Sequence, residues 1–348
     1  MNASTMKAVF FDKHGGLEVL KYGEMPKPEA GPNEVLIELR AAALNHLDLA
    51  IREGIPQWPS PLPHIPGSDG SGVVAEVGSG VANAKPGDRV LISPGLSCGT
   101  CSACREGDDN LCTKYHGLGT REHGTYAEFA KVPASNVLPI PEGLSFEEAA
   151  AIPMVFLTAW HMLVRLGKVK KEDYVLVHGA GSGVGSAAVQ IAKMFGARVI
   201  TTSGDDAKLA KARQLGADET VNYRTTDFAQ EVRRLTSNRG VDIVVEHIGG
   251  EVFAKSITVL RRGGRLVTCG VTASGTASID LRYIFSRVLT VYGSFVGRSA
   301  ELKEVLKYFP ARRLKPVIDS IFPLPQAAEA QSRMAERKHF GKIVLRIE

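Results

Sequence analysis

The stretch that most constrains the fold runs from residue 175 to residue 193 and reads VLVHGAGSGVGSAAVQIAK. A short apolar run enters a turn that carries glycines at positions 179, 181, 183 and 185, and a segment with helical spacing follows. This pattern predicts a strand, a tight turn and a helix whose free N–H groups can hold a pyrophosphate. The spacing departs from the strict G-x-G-x-x-G pattern in every register, and glycines at such a turn can also serve only to form it.

The residues that follow alternate between strand and helix patterns, as a doubly wound sheet requires. Strand patterns lie at 174–178, 198–202, 219–222, 243–246, 265–269 and 289–293, and helical patterns lie at 184–195, 207–215, 228–236 and 252–260. About six parallel strands is the number expected of a dinucleotide-binding sheet.

The first part of the chain, residues 6–141, has short strand-like runs separated by proline and glycine. The runs lie at 7–11, 34–41, 72–77 and 89–92 and predict a compact β-barrel. The last segment, 300–348, has the pattern of a helix, a strand, a second helix and a second strand, and we expect its strands to rejoin the first domain. The predicted fold class is therefore α/β, with a β-barrel beside a doubly wound parallel sheet.

Composition excludes several classes of protein. The formal net charge of +5 is spread over 348 residues without a basic block, so we expect no nucleic-acid partner. The longest apolar stretch, 149–160, is too short to span a membrane and contains Pro153 and Thr158. The N-terminus has no pattern of a signal peptide, so a cytoplasmic enzyme with a small-molecule substrate is the default expectation.

Four of the five cysteines lie within fifteen residues, in the pattern C-x2-C-x2-C-x7-C formed by Cys98, Cys101, Cys104 and Cys112. Four thiolates this close suit one tetrahedral Zn²⁺, and a closed set of four leaves no open position for a substrate. The alternatives are two disulfides or an iron–sulfur cluster. We predict a structural zinc, and we expect Cys269 to be a buried core thiol.

Several motifs occur in a fixed order: PGSDGSGVVAEVGSGV with KPGDRV, the cysteine segment, GTYAEFA, the glycine turn and a closing FGKIVL. In this respect the whole chain resembles the zinc-containing medium-chain alcohol dehydrogenase and quinone reductase superfamily. The resemblance implies a GroES-like catalytic domain at 1–153 with its zinc lobe at 95–113, a Rossmann domain at 154–295, and a return to the first domain at 296–348. It also implies NAD(P)(H) as cofactor and a homodimer or homotetramer.

The resemblance also identifies departures from the alcohol dehydrogenases, which hold a second, catalytic zinc. Asn45 stands at the position of the Cys ligand, Ser68 at that of the His ligand, and Met154 near that of the later ligand. These side chains are poor Zn²⁺ ligands. His46 and Asp69 each follow one of these positions and are the alternative zinc ligands. Neighbouring residues on a strand point to opposite faces, however, which argues against this substitution.

These departures predict a reductase without catalytic zinc, which reduces quinones or α,β-unsaturated carbonyls with NADPH. In such a reaction hydride adds to the β-carbon and negative charge collects on an enolate oxygen that hydrogen bonds can stabilise. Three alternatives remain: a zinc-dependent alcohol dehydrogenase with two zinc ions per chain, an enoyl-thioester reductase, and a non-catalytic protein that binds NADPH or RNA, as some crystallin-like relatives do.

Four residues are candidates for catalysis. Asn45 can donate its amide N–H to the developing oxyanion, or it can simply cap a helix. His46 can relay a proton or touch the cofactor, or be structural. We expect Asp48 to orient its neighbours rather than act as a base. The alternative is that it only stabilises the first turn of a helix, where a carboxylate is favoured by the helix dipole. Thr158, in an apolar helix facing the predicted cleft, can meet the nicotinamide or bond back to a helix carbonyl.

Cofactor contacts are predicted first at the glycine turn, by Gly181, Ser182, Gly183 and Val184. NAD enzymes place Asp or Glu at the end of the second strand to hold the ribose 2′-OH, and here that place is taken by Ser203 with Lys208 nearby. The resemblance adds Tyr223, which matches a tyrosine that reaches the 2′-phosphate in quinone reductases. Ser203, Lys208 and Tyr223 together favour NADPH over NADH, unless Asp205 or Asp206 turns toward the cofactor.

The segment EHIG, which contains His247, ends a strand at the sheet edge where cofactors lie, and Gly270 follows the next strand. This region also resembles the crotonyl-CoA carboxylase/reductases, in which a matching histidine helps to hold CO₂. Thr120 stands where those enzymes have an assisting glutamate, so we do not expect carboxylation. A structural histidine at the strand end is the alternative for His247. We expect an apolar substrate pocket lined by residues 55–63, including Trp58, by 149–160 and by 282–295.

Overall fold

The computed structural model describes residues 4–56 and 59–348. Trp58, which we predicted to line the substrate pocket, lies outside the described residues. The chain divides into two compact units. Unit 1 contains Met1–Met154 and Arg298–Glu348, and unit 2 contains Val155–Gly297.

The strands and helices of the described residues are as follows. The strands are Thr5–Phe10 (β1), Lys21–Pro26 (β2), Glu34–Ala43 (β3), Asp69–Val77 (β4), Arg89–Ile92 (β5), Gly95–Leu96 (β6), His116–Gly117 (β7), Phe129–Pro133 (β8), Val137–Pro139 (β9), Tyr174–Val177 (β10), Arg198–Ser203 (β11), Glu219–Asn222 (β12), Val241–Glu246 (β13), Leu260–Thr268 (β14), Thr290–Gly293 (β15), Ile318–Pro323 (β16) and Lys342–Arg346 (β17). The α-helices are His46–Glu53 (α1), Ser102–Arg105 (α2), Phe146–Ala150 (α3), Pro153–Trp160 (α4), Gly183–Met194 (α5), Asp206–Gln214 (α6), Phe228–Leu235 (α7), Gly250–Thr258 (α8), Leu281–Arg287 (α9), Ser299–Leu306 (α10) and Ala327–Ala335 (α11).

Unit 1 is built around β3, which pairs with β4, β8 and β17 in one sheet. Alternate apolar side chains of β3, among them Val35, Ile37 and Leu39, are completely buried in the main core of the unit. The C-terminal strand β17 pairs antiparallel with β3, with Val344 opposite Ala43. The end of the chain therefore lies beside the strand that leads into α1.

Several strands of unit 1 have no clear signal in the sequence. The strand β2, which pairs with β1 in a hairpin, has mostly exposed residues and contains Gly23 and Pro26, so neither propensity nor alternation marks it. The short strands β8 and β9 likewise depend on pairing with β3 and β5. Tertiary contacts form these strands where local preference is weak.

Unit 2 is a six-stranded parallel sheet in the order β12-β11-β10-β13-β14-β15. The two central strands, β10 and β13, are almost wholly buried, which explains their mainly apolar sequences. The order reverses between β10 and β13, and in open sheets this reversal opens the crevice that binds a ligand. The predicted fold class, a GroES-like domain with a doubly wound Rossmann sheet, is confirmed.

One helix of unit 2, α9, was not predicted. Asp280 starts it, because its side chain accepts a hydrogen bond from the N–H of Arg282. The helix itself carries the exposed apolar side chains of Leu281 and Phe285, which mask its amphipathic pattern. Over the described part of the chain, no helix has the length and apolar character needed to cross a membrane.

Candidate functional site

The cysteine lobe forms a compact donor cluster in unit 1. The sulfur atoms of Cys98, Cys101, Cys104 and Cys112 all lie within 4.8 Å of one another, and none of these cysteines is in a disulfide. Hydrogen bonds from Thr100 hold the pKa of the Cys98 thiol well below its usual value. Four convergent sulfurs suit a tetrahedral Zn²⁺, so the chain has the predicted structural zinc site.

The lobe also holds the start of α10. The carboxylate of Asp109 accepts the backbone N–H of Ser299 at 3.1 Å and also the Ser299 hydroxyl. Beside it, Arg298 pairs with Asp108 at 3.3 Å. The zinc-binding segment thus caps a helix that lies far away in the sequence.

A second polar cluster forms around Asn45, which precedes α1. Its backbone N–H donates to Asp48 Oδ2 at 2.8 Å, while its side-chain Nδ2 donates to Asp69 Oδ2 at 3.0 Å and more weakly to the carbonyl of Ala43 at 3.4 Å. Both predicted functions of Asn45 stay predictions. The backbone is at the start of the helix, and the side chain belongs to a buried network.

The centre of this network is a residue that the sequence analysis missed. Lys342 Nζ donates to the carbonyl of Leu44 at 2.6 Å, to Asn45 Oδ1 at 2.7 Å and to Asp69 Oδ2 at 2.9 Å. The signal that could have identified it is a single lysine at the start of an otherwise apolar buried strand, because lysine is almost never fully buried unless it is paired.

Ser68 and Asp69 point to different places, as expected for neighbours in an extended chain. The hydroxyl of Ser68 donates to the carbonyl of Leu118 at 2.7 Å. Asp69 faces the lysine, and its other oxygen accepts the backbone N–H of Met154 at 2.9 Å. The backbone of Met154, rather than its thioether, therefore joins this network.

Asp48 accepts two hydrogen bonds through Oδ2, from the backbone of Asn45 and from the hydroxyl of Tyr126 at 2.9 Å. Burial raises the pKa of this carboxyl to about 7. These are the contacts of a residue that orients its neighbours. His46 is the exposed first residue of α1, and its ring lies 6.0 Å from the ring of His339. The catalytic roles of both residues stay predictions.

The glycine turn in unit 2 depends on one close contact. Gly179 has a φ of +65°, and a Cβ at Gly185 would lie 2.2 Å from the Gly179 carbonyl oxygen. Ser182 caps α5, since its hydroxyl accepts the N–H of Gly185 at 2.8 Å. Gly181 lies in the turn before this cap, and Gly183 and Val184 begin the helix. A tight turn of this kind, leading into the start of a helix, suits a bound pyrophosphate.

His247 lies beneath this turn. Its Nε2 is 3.0 Å from the His178 carbonyl oxygen and 3.3 Å from the Ser182 hydroxyl. Because a carbonyl only accepts, Nε2 carries the proton, and burial lowers the pKa of the ring. The histidine therefore supports the turn as a neutral donor. Gly270 lies against it, since a Cβ at this glycine would be 3.6 Å from His247 Cβ.

The two aspartates that follow the second strand are engaged in hydrogen bonds within the protein. Asp205 is used as the cap of α6, accepting the N–H groups of Ala207 and Lys208, while Asp206 accepts a hydrogen bond from Asn222 at 2.8 Å. Ser203 ends β11, and its hydroxyl accepts the N–H of Asp205 at 3.3 Å. Neither aspartate is thus arranged as the usual NAD ligand.

Two side chains lie beside Gly204, the residue after Ser203. A Cβ at Gly204 would lie 2.9 Å from both the Tyr223 ring and Arg224 Nε, which places these two residues beside the strand end. Lys208 is half-buried on the first turns of α6. Arg224 was not among the predicted cofactor-binding residues. Its position directly after Tyr223 could have identified it as a candidate. Thr158 lies on α4 and is buried, and its role stays a prediction.

Comparison with known proteins identifies the class. Residues 31–142 match the alcohol dehydrogenase GroES-like domain, and residues 183–310 match the zinc-binding dehydrogenase family. A zinc-type alcohol dehydrogenase-like protein of Schizosaccharomyces pombe is 34% identical, with 99% of each chain covered. The human quinone oxidoreductase is 32% identical over 98% of this chain and 97% of its own. An NAD-dependent alcohol dehydrogenase of known crystal structure is 49% identical in sequence, with a TM-score of 0.94. The match covers 99% of this chain and 100% of that chain.

The chain therefore belongs to the zinc-binding alcohol dehydrogenase and quinone oxidoreductase family of the medium-chain dehydrogenase/reductase superfamily. It is an NAD(P)-dependent oxidoreductase with a four-cysteine structural zinc site.

Proposed function

We propose that this oxidoreductase uses NADPH to reduce quinones or α,β-unsaturated carbonyls without a catalytic zinc. The observation that carries the proposal is the buried cluster of Asn45, Asp69 and Lys342. The proposal takes Asn45 to correspond to a cysteine ligand of the catalytic zinc, as the sequence resemblance implies, and its side chain is bonded to the Lys342 ammonium.

The donor atoms of this cluster do not suit a zinc ion. An amide and one carboxylate are poor substitutes for thiolate and imidazole, and an ammonium group cannot act as a ligand and repels a cation. Among the described residues, the cysteine lobe is the one group of three or more histidine, cysteine or acidic side chains close enough to hold a metal ion.

The glycine turn suits a dinucleotide, and bound NADPH would supply the hydride. The turn would bind the pyrophosphate through backbone N–H groups at the start of α5. His247 would stabilise the turn through its hydrogen bond to the carbonyl of His178, the residue before Gly179. When hydride reaches the β-carbon of an enone, negative charge collects on the carbonyl oxygen. An Asn45 N–H would donate to that oxygen, which is the stabilisation that a conjugated substrate requires.

The choice of NADPH is supported by the second strand of the sheet. Ser203 stands where an acidic residue would repel a 2′-phosphate, and Asp205 and Asp206 are engaged in other contacts. Lys208 and Arg224 supply positive charge near this strand end, and arginine suits phosphate oxygens in particular.

The test combines metal content with activity on the purified protein. We expect one zinc per chain by mass spectrometry and NADPH oxidation, followed by absorbance, with a benzoquinone or a small enone. NADPH-dependent turnover at one zinc per chain would support the proposal. Two zinc ions per chain, or turnover restricted to alcohols with NAD(P)⁺, would overturn it.

A second candidate is oxidation of alcohols, and the comparisons favour it over the first. The NAD-dependent alcohol dehydrogenase noted above is 49% identical over nearly the whole chain, a higher identity than that of the human quinone oxidoreductase. This candidate requires another way to deprotonate an alcohol, because a zinc ion normally lowers its pKa. An alcohol series with NAD⁺ and NADP⁺ in the same assay separates the two functions.

A further inference from the structure

Lys342 is a cation enclosed by protein. Its side chain is 3% exposed, and its three N–H donors have three acceptors, Leu44 O, Asn45 Oδ1 and Asp69 Oδ2. An ammonium group has three donors in total, so each is matched by one protein acceptor. Lys342 therefore has no donor left for a substrate and can affect one only through its partners.

Of the three polar side chains in the cluster, Asn45 has the most exposed surface. It is 8% exposed, against 3% for Lys342 and 0% for Asp69. Its amide has one N–H directed at Asp69 at 3.0 Å, whereas the 3.4 Å contact with the Ala43 carbonyl is longer than an ordinary N–H···O bond. That second N–H is weakly held within the protein and is available to another acceptor.

We propose that Lys342 is a positioning residue for the reduction, acting through the amide of Asn45. The bond from Nζ to Oδ1 fixes which end of the amide is the carbonyl, and so directs Nδ2 away from the lysine. Withdrawal of electrons by the ammonium makes the remaining N–H a stronger donor, because hydrogen bonds in a chain polarise one another. The proposal rests on the proposed function, in which that N–H stabilises the developing oxyanion.

A purely structural alternative explains the same burial. Lys342 and Asp69 form a buried ion pair at 2.9 Å, and removing one partner leaves an uncompensated charge that destabilises the fold. The two explanations differ in what happens when both charges are removed together. A structural role is then satisfied, whereas the ammonium that polarises the Asn45 amide and fixes its orientation is still missing.

The experiment compares Lys342→Met with the double variant Lys342→Met/Asp69→Asn, measuring Tm, kcat and KM for an enone. We expect Lys342→Met to lower Tm by about 10 °C, because a buried charge is left unpaired. We expect the double variant to regain most of that Tm but to keep a kcat about 100-fold below that of the wild type, the usual effect of weakening an oxyanion donor. Recovery of kcat together with Tm would overturn the proposal.

Arg52→Met is the matched control, since Arg52 is equally buried at 3% exposure on α1 and bonds to Gln331, Glu53 and the Gly15 carbonyl. We expect it to lower Tm while kcat of the folded protein stays within about twofold, because it removes a buried cation with no contact to Asn45. A loss of kcat in this control as large as that of the double variant would attribute the effect to buried charge in general and overturn the proposal.

A readout that needs no substrate keeps this inference separate from the proposed function. In protein labelled with ¹⁵N-asparagine, the Asn45 side-chain resonances are assigned from their loss in Asn45→Asp. We expect the amide protons to exchange with solvent at least about tenfold faster in the double variant than in the wild type, because the amide has lost the charged donor that fixes its carbonyl end. Unchanged exchange would overturn the positioning role, whereas a wild type inactive on enones and quinones would overturn the proposed function alone.

Discussion

The hydroxyl of Tyr126 donates to Oδ2 of Asp48 across 2.9 Å, within the interior of unit 1. The same oxygen accepts the backbone N–H of Asn45, so one carboxyl connects an aromatic core residue to the start of α1. Because burial raises the pKa of Asp48 to about 7, this carboxyl takes up a proton near neutral pH although Oδ2 accepts two hydrogen bonds that favour the charged form.

This contact makes stability depend on pH. The carboxyl has a pKa of 3.8 when unfolded and about 7 when folded, so the native state binds the additional proton between these values. The contribution of Asp48 to the free energy of unfolding therefore falls as pH rises from about 4 to about 7, by up to about 1.4 kcal/mol per pH unit. Above about pH 7 this contribution is constant. Urea unfolding from pH 5 to 8 should show a shallower loss of stability in Asp48→Asn than in the wild type. Identical slopes would contradict the assignment.

Cofactor preference should depend on the charges near Ser203. We expect Arg224→Ala to weaken NADPH binding by about tenfold, and Ser203→Asp to weaken it further, because each change makes the site less favourable for a 2′-phosphate. NADH binding should change little in Arg224→Ala and should not weaken in Ser203→Asp, because an acidic residue at this position can hold the ribose 2′-OH. The measurement is fluorescence titration with both cofactors, and Lys211→Ala, farther along α6, is the control for a general loss of positive charge. Equal losses for NADH and NADPH would show that these residues do not contact the phosphate.

The glycine turn offers a matched pair of substitutions. Gly185→Ala would bring a methyl group to 2.2 Å from the Gly179 carbonyl oxygen, so the turn must open and lose its geometry. Gly275→Ala adds the same methyl where no atom lies within 4 Å. We expect at least about a 100-fold loss of dinucleotide affinity in the first variant and none in the second, measured by calorimetry. Normal binding by Gly185→Ala would show that the close contact is not required.

The cysteine lobe should stabilise the fold through both its zinc and its cap on α10. Cys112→Ser should reduce zinc from one ion per chain to none and lower Tm, because the closed set of ligands is broken. Asp109→Ala should keep the zinc but cost about 1 kcal/mol, because the start of α10 loses its acceptor. The measurements are metal analysis and thermal unfolding, with Cys269→Ser as the control. Zinc loss in Cys269→Ser would contradict the assigned ligand set.

The predicted homo-oligomer has a specific candidate surface in unit 2. The edge strand β15 exposes Val291, and the neighbouring helix α9 exposes Leu281 and Phe285. An unpaired edge strand beside apolar side chains is suited to pairing with a second copy. We expect Val291→Lys/Phe285→Lys to convert the assembly to monomers by light scattering, with little effect on dinucleotide binding. A wild type that is already monomeric, or a variant that keeps its size, would contradict this prediction.

The local features of the chain were predictable because their signals are short-range. The glycine turn, the alternation of the parallel sheet and the spacing of Cys98, Cys101, Cys104 and Cys112 follow from backbone geometry and ligand distance. The strand β12 was predicted at its observed bounds, and β11 to within one residue. Periodicity was sufficient here because each strand is followed by a helix that buries one of its faces.

Tertiary structure alone decided the polar cluster at the end of β3. Asn45, Asp69 and Lys342 are up to 297 residues apart in sequence and meet because β17 pairs with β3. The apolar residues that follow Lys342 indicate that it is buried, but no local pattern identifies its three acceptors, since the cost of burying the charge is offset only by partners that the fold brings together. The same reason explains how Asp109 caps α10: the amino-acid types were visible in the sequence, but their partners depended on long-range pairing.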